Sequence, residues 1–399
     1  MATLRPFRAL RPTPEDAAAI AAVPYDVVST DEARALAGGN PLSFLRVSRA
    51  ELELPAGTDP YSPAVYERAV ANFRKLREAS LVVEAEPSVY FYRLRMGGHE
   101  QTGLAGCWSL DEYDRSVIKK HEKTRRDKED DRTRHMIALG AQTGPVFLTY
   151  RAADAVSAIA SRVTSSAPLI DFTAADGVSH TLWKVPGGDR DGLVTAFGKV
   201  PALYIADGHH RAASAARTRD HLKGEGESSS FLGVAFPDDQ VQILPYNRVV
   251  KSLGEHTPEG FETAVRQRFD VTDGPATPAR RGEIAMYVGG RWRTLTPKSA
   301  RGSDPIKSLD VSVLQDQLLE PILGIADVTT DKRIDFVGGA RGTRALETLV
   351  DGGSAVAAFS MFPVSVTDLI AVSDAGAIMP PKSTWFEPKL RDGLLSHLL

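Results

Sequence analysis

A mixed α/β fold is predicted for this chain by three observations. Its 399 residues are 42% hydrophobic and 25% charged, the balance of an ordinary soluble globular protein. Strand-like and helix-like patterns alternate along both halves. One stretch, Pro201 to Arg217, passes from a buried strand run through a tight polar turn straight into strong helix formers. At about 150 residues per domain the length suggests two to three domains. We place a core in 1–240, carrying an inserted charged helical segment at 115–135, and a second α/β domain in 241–399 whose loop 379–389 returns to the active site.

A helix starts near Thr30, with Ser29 or Thr30 as N-cap and Asp31 and Glu32 in its first turn, and stops at Gly38-Gly39-Asn40. Pro41 to Val47 reads as a strand. Val65, Ala69, Val70, Phe73 and Leu76 lie near helical spacing in a helix from about Pro63 to Ser80. Ser88 to Arg95 and Thr102 to Leu110 alternate and are rich in aromatics, so they read as paired strands. Strands are expected at Pro145–Tyr150, Thr181–Val185 and Phe231–Phe236, and a helix at Ala152–Ser165. The second half alternates helices (about Pro258–Phe269, Leu309–Leu319, Gly342–Asp351 and one from Ser365) with strands (Ile284–Val288, Ala355–Phe359).

Lys+Arg 48 against Asp+Glu 51 leaves a formal charge of −3, so no overall positive field points to nucleic acid or an anionic membrane. There is neither a signal-like apolar run near the N-terminus nor a stretch of about 18 apolar residues, and the expected setting is cytoplasmic. The single cysteine, Cys107, excludes an intrachain disulfide and a cysteine-based zinc site. It reads as a small buried apolar residue.

Walker A, GxGxxG, HExxH and GxSxG patterns are absent; His121-Glu122-Lys123-Thr124-Arg125 puts arginine where a metal helix of the HExxH type needs its second histidine. The sharpest feature is Asp207-Gly208-His209-His210-Arg211. A strand delivering glycine into a helix start leaves backbone N–H groups unsatisfied, and the helix dipole adds about half a positive charge there, so the turn suits an anion. Gly208 lets the backbone approach a ligand, Arg211 can grip a phosphate, and an imidazole can donate to a phosphoryl oxygen or shuttle a proton. Adjacent histidines point apart, so one of His209 and His210 is expected to face the ligand.

The window 115–135 holds nine Lys/Arg against five Asp/Glu. If it is helical, His121, Arg125, Lys128 and Arg132 share one face, with Glu122, Arg126 and Asp130 in the next row. Its outer charges read as a solvated face, but His121-Glu122-Lys123-Thr124 sets a base, an acid, a cation and a hydroxyl side by side. A third block, Pro381-Lys382-Ser383-Thr384, offers a cation and two hydroxyls. A fourth, Pro24-Tyr25-Asp26, is an ordinary strand and turn unless the fold brings Asp26 to the same cleft.

Together, Pro24-Tyr25-Asp26-Val27, Lys120-His121-Glu122-Lys123-Thr124, Ile205 to Arg211 and Met379 to Thr384 resemble the prokaryotic family catalogued as domain of unknown function 1015, and the likeness runs from Arg5-Pro6-Phe7 to Phe386. Within it, the 207–211 turn is similar to the second box of the ParB/sulfiredoxin superfamily, which implies a nucleotide-binding core of that type with additional α/β domains. Sulfiredoxins place a cysteine in this turn where His209 or His210 stands here, so sulfinic-acid repair is not expected. Nor is there a helix-turn-helix pattern like that of the chromosome-partitioning members. The free serine kinase branch is the nearest analogue.

The resemblance implies a phosphotransferase that moves a phosphoryl group from ATP, ADP or pyrophosphate to a hydroxyl, with free L-serine the favoured acceptor and Mg²⁺ the expected cation. Asp207, His209, His210 and Glu122 are the expected catalytic residues, with Asp207 and Glu122 also the metal ligands. Gly208, His210, Arg211, Lys123, Thr124, Arg132, Lys382, Ser383 and Thr384 would hold phosphate, and Asp26, Tyr25 and His121 the substrate. The partners are then small molecules rather than nucleic acid or membrane, and a homodimer is compatible with them. The alternatives are a nucleotide-binding or nucleotide-hydrolysing switch, and a phosphatase built on the same anion site.

Overall fold

Two units share the chain: residues 1–241 with 388–399, and residues 242–387. The computed structural model describes residues 1–299, 302 and 304–399. Helices and sheets are mixed in both units, as the alternating patterns predict. No helix among the described residues is long and apolar enough to cross a membrane.

The first unit is built on a nine-stranded sheet. Its strands are β1 (Leu4–Arg5), β2 (Tyr90–Met96), β3 (His99–Ser109), β4 (Ile118–Lys119), β5 (Val146–Tyr150), β6 (Ile170–Thr173), β7 (Ser179–Lys184), β8 (Leu203–Asp207) and β9 (Ser230–Pro237). They lie in the order β4-β8-β5-β9-β3-β2-β7-β6, with β1 also paired to β3. β2 and β3 form an antiparallel hairpin across Gly97-Gly98, where Gly97 takes a φ of +58° that a side chain would resist. β4 runs parallel to β8, and β5 parallel to β9. The longer helices of this unit are α1 (Thr30–Ala37), α2 (Pro63–Ala79), α3 (Arg126–Leu139), α4 (Asp154–Val163), α5 (Gly187–Phe197) and α6 (His209–His221).

Successive strand side chains alternate between two faces, and both faces of the central strands are buried. Phe91, Trp108, Leu148, Leu203 and Ile205 join Val156, Leu193 and Phe197 from α4 and α5, and Ala212 and Ala215 from α6, in one apolar cluster. A second cluster gathers Phe44, Leu45, Val47, Val65, Phe73 and Leu76 around α1 and α2. Ser29 caps α1 in a reciprocal capping box with Glu32, as the start signals require. Cys107 is buried, and burial raises its thiol well above the ordinary value.

Two sequence expectations are corrected in this unit. Pro41–Val47 is not a strand: a turn leads into a helical turn at Leu45–Ser48, because Phe44, Leu45 and Val47 all bury in the α1–α2 cluster and the Phe44 carbonyl accepts locally from Val47 and Ser48. The charged segment is not one helix either. It enters as β4, crosses residues 120–125 without regular structure and becomes helical only at Arg126, so His121 and Arg125 do not share a helical face with Lys128 and Arg132.

The second unit holds a six-stranded antiparallel sheet in the order Phe269–Asp273, Arg291–Pro297, Ile284–Val288, Ala357–Met361, Tyr246–Val250, Ile334–Gly338. Helices Pro258–Arg268, Gly342–Asp351 and Val366–Asp374 belong to the same unit. Leu309–Leu319 divides into an α-helical turn, Asp310–Leu314, and a π-helical one, Gln315–Leu319.

Candidate functional site

The pairing of β4 with β8 decides what meets what. In this parallel ladder Ile118 stands opposite Leu203 and Lys119 opposite Tyr204, so the residues after Lys119 run beside the residues after Tyr204. That brings 121–125 alongside the Asp207–Arg211 turn. The backbone N–H of His121 donates to His209 Nε2 at 3.4 Å, and that of Arg125 donates to His210 Nε2 at 3.0 Å. With Nε2 accepting, the proton of each neutral ring sits on Nδ1.

β8 ends at Asp207, and Gly208 turns the chain with φ +92° and ψ +30° before α6 begins. No side chain caps this helix start: Asp207 Oδ1 accepts from its neighbour Gly208 N at 2.8 Å. The first-turn amides therefore have no side-chain acceptor, the condition that suits an anion at a helix start. A Cβ at Gly208 would stand 2.9 Å from Arg211 Nε and 3.0 Å from its Cζ. Gly208→Ala should cost about 1–2 kcal/mol from the left-handed conformation alone, with more for displacing the guanidinium; a denaturation midpoint equal to wild type would contradict this.

Charge is concentrated behind the turn. Lys389 Nζ lies 3.1 Å from Asp207 Oδ2, and Arg211 lies 3.6 Å from the same oxygen and 4.0 Å from Asp26 Oδ2. Desolvation raises the Asp207 pKa, but the charges of Lys389 and Arg211 outweigh it and hold the carboxyl below the usual range. Arg211 is turned inward. Its side chain is only 4% exposed and its guanidinium donates to the Pro145 carbonyl. Burial lowers its pKa, yet Asp26, Asp207 and Asp392 more than reverse this. Arg211 thus braces the turn from behind instead of extending toward a phosphate.

Asp392 is the residue that sequence reasoning misses. It is buried, and a Cβ on Gly144 would touch both its carboxylate (2.9 Å) and Arg211 Cδ (3.4 Å). Burial, with Asp26 adding to it, pushes its pKa up to about 7 against the pull of Arg211. Asp392 lies in a short C-terminal segment with no motif around it, held by reciprocal backbone bonds with Ala22; only the folded chain brings it to Arg211.

Two imidazoles, His121 and His209, meet at the turn, and His210 follows them along the chain. His121 and His209 stack edge to face with centroids 4.5 Å apart, and His209 Nδ1 is 3.7 Å from Glu122 Oε2. Burial drives the His121 pKa down to about 4, against the Ile205 backbone and Asp207. Burial, and then the neighbouring His121, hold His209 well below its ordinary value. His210 is also lowered, chiefly by burial, against Asp26 and Glu129. At neutral pH all three rings are uncharged, so they act as hydrogen-bonding groups or ligands and not as cations.

The other expected residues divide into three groups. Lys123 is exposed beside the cluster, and Thr124 Oγ1 donates to Glu129. Glu129 also binds Arg217 at 3.2 Å and so ties α3 to α6. Tyr25 is buried beneath the guanidinium of Arg132, 4.1 Å from its ring centroid, and Arg132 bonds Asp131 at 2.7 Å and the Ser48 carbonyl at 3.3 Å. Arg132 and Tyr25 are therefore packed together, with Asp26 beside them facing Arg211. Lys382, Ser383 and Thr384 belong to the second unit: the Lys382 carbonyl accepts from Arg248 at 2.9 Å, and Ser383 Oγ donates to the Pro380 carbonyl at 2.6 Å. Of the segment 379–389, only Pro388 and Lys389 fall in the first unit.

No curated protein matches the chain. Among solved structures it is similar to SbnI with C-terminal truncation from Staphylococcus aureus, at 12% identity over 72% of this chain and 85% of that one, with a TM-score of 0.40. It is also similar to a free serine kinase in complex with AMP, at 16% identity over 73% and 92% with a TM-score of 0.37. A conserved hypothetical protein from Pyrococcus furiosus matches at 15% identity over 73% and 94%, with a TM-score of 0.36. At these values none of the likenesses assigns a chemistry to this chain. The family model described as protein of unknown function, DUF1015, matches residues 4–312, and both blocks that meet at the turn, 121–125 and 207–211, lie inside that span. The chain therefore belongs to the DUF1015 family.

Proposed function

We propose that this protein is a small-molecule phosphotransferase that moves a phosphoryl group from a nucleotide or pyrophosphate to a hydroxyl, with free L-serine the favoured acceptor. One observation carries the reading: the blocks 121–125 and 207–211, more than eighty residues apart in sequence, are joined by hydrogen bonds at an uncapped helix start. Phosphoryl transfer asks mainly for positioning and for donors aimed at phosphate oxygens. First-turn amides, the Nδ1–H of His210 and the exposed ammonium of Lys123 supply such donors, while Lys389 and Arg211 set the positive potential behind them. Two of the carboxylates at the turn suit catalytic roles. Glu122, beside two neutral imidazoles, suits a cation; Asp207, held ionised, is left to take the hydroxyl proton. The choice of serine rests on the analogy with the free serine kinase branch that the 207–211 turn suggests.

Incubating the protein with labelled ATP, ADP or pyrophosphate, Mg²⁺ and L-serine should yield O-phosphoserine with at least one donor. His210→Ala should lower the rate about tenfold or more, as loss of a charge-assisted hydrogen bond would. No phosphoserine with any donor overturns the serine assignment, and phosphate release that ignores the acceptor overturns transfer altogether.

A further inference from the structure

His121 is an anomaly that phosphate binding does not explain. Its side chain is 1% exposed, yet neither ring nitrogen makes a well-formed hydrogen bond. A buried polar group without a well-formed partner is costly; His397 shares this state beside the ring of Phe7, whereas His121 stands beside two further potential ligands. One ligand atom each from His121, Glu122 and His209 lies within 4.8 Å of the other two. The 3.7 Å between His209 Nδ1 and Glu122 Oε2 is already close to the roughly 3.4 Å that separates two ligands bound at about 2.0–2.2 Å in a tetrahedral zinc site.

We propose that His121, Glu122 and His209 form a binding site for one divalent transition-metal ion of the zinc or cobalt class. Two imidazoles and one carboxylate are the donor set such ions prefer, whereas Mg²⁺ takes oxygen ligands and keeps its waters. Three protein ligands leave an open position, which in metal sites of this kind accepts water or a substrate oxygen. The side chains are predisposed to it. His121 and Glu122 are adjacent on the irregular 120–125 stretch, where rotation is less restricted than on a helix, and His209 opens α6. Ligation by His209 gives up at most its 3.4 Å bond from the His121 amide, the longer of the two hydrogen bonds that join 121–125 to the turn. The sequence conceals the site because no HExxH spacing announces it; the parallel β4–β8 ladder brings the ligands together.

The proposal shares Glu122 with the phosphotransferase reading, so its test is binding and not turnover. The metal-free full-length protein is titrated with Zn²⁺ and Co²⁺, with Mg²⁺ in parallel, by calorimetry and by the visible absorption of bound Co²⁺. One ion per chain is expected, with Mg²⁺ binding far more weakly. His121→Ala and His209→Ala should each weaken Co²⁺ binding more than about 100-fold, exceeding the 10–100-fold loss typical of a residue that merely orients a ligand. Glu122→Gln, at a side chain 45% exposed, should fold normally and also weaken binding, which keeps the test decisive if a histidine variant unfolds. His99→Ala, on the β2–β3 hairpin, should bind as wild type does. The site is overturned if wild type binds no Zn²⁺ or Co²⁺, if Mg²⁺ binds equally well, if the three ligand variants bind normally, or if His99→Ala loses binding too. Co²⁺ binding without phosphoserine formation leaves the metal site standing and removes the phosphotransferase reading; the reverse result removes the site alone.

Discussion

Arg211→Met should destabilise the protein by about 3–5 kcal/mol, the usual cost of removing one member of a buried ion cluster. For a folded unit of this size that is a drop of roughly 10 °C in Tm. Methionine keeps most of the stem's packing, so the loss isolates the charge and its bond to the Pro145 carbonyl. Three carboxylates depend on that charge. Asp207 and Asp26 lie 3.6 and 4.0 Å from the guanidinium, and Asp392 is buried beside its stem. Once Arg211 is gone, the Asp392 pKa rises further above its present value of about 7, and protonation relieves part of the damage. The deficit should therefore shrink between pH 8 and pH 6. Adding Asp392→Asn to Arg211→Met should recover stability in a non-additive way, as neighbours do in a double-mutant cycle. A loss below about 1 kcal/mol, the value of an exposed pair, would show that Arg211 is not the counter-charge of this cluster.

Acidification is expected to weaken the fold on the order of 5 kcal/mol between pH 7.5 and pH 5. His121, His135 and His397 have pKa values lowered to about 4 and His180 to about 3, each chiefly by burial. An unfolded histidine titrates near 6.5. Below that pH the unfolded chain binds protons that the folded one refuses, so the stability these groups contribute is complete above pH 6.5 and is lost as pH falls toward 4. Each contributes about 2 kcal/mol to the loss at pH 5. Asp392 works in the opposite direction. Its raised pKa costs stability above pH 7, and that cost is relieved on acidification, which offsets part of the histidine effect without cancelling it. Urea midpoints at pH 5 and 7.5 measure the difference, and His397→Leu, which removes a ring with neither nitrogen bonded, should flatten the slope. Stability that is constant or rises toward pH 5 would contradict the burial of these rings.

Sequence reading located most regular elements because their signals are local. The helix start at Ser29, the paired aromatic-rich strands and the strand into Asp207 are each set by a few neighbouring residues. It failed where local signals were degenerate. Phe44, Leu45 and Val47 fit a short strand and a helical turn equally well, and the second cluster's packing made the choice. The 115–125 stretch has helical composition, but its backbone pairs with β8 and donates to two imidazoles instead of closing helical bonds.

The same division runs through the site. The mixed α/β class, the family and the chemical types at Asp207–Arg211 and His121–Thr124 were legible in the chain alone, because residue type and strand-to-helix order are properties of neighbours along it. Folding added what no local pattern carries: Arg211 turns inward to three carboxylates, Lys389 and Asp392 join it, and His121, Glu122 and His209 come within ligand distance. Electrostatic and ligand contacts depend on separation in space, and for His121, Glu122 and His209 a two-residue parallel ladder between β4 and β8 sets that separation across 85 or more positions.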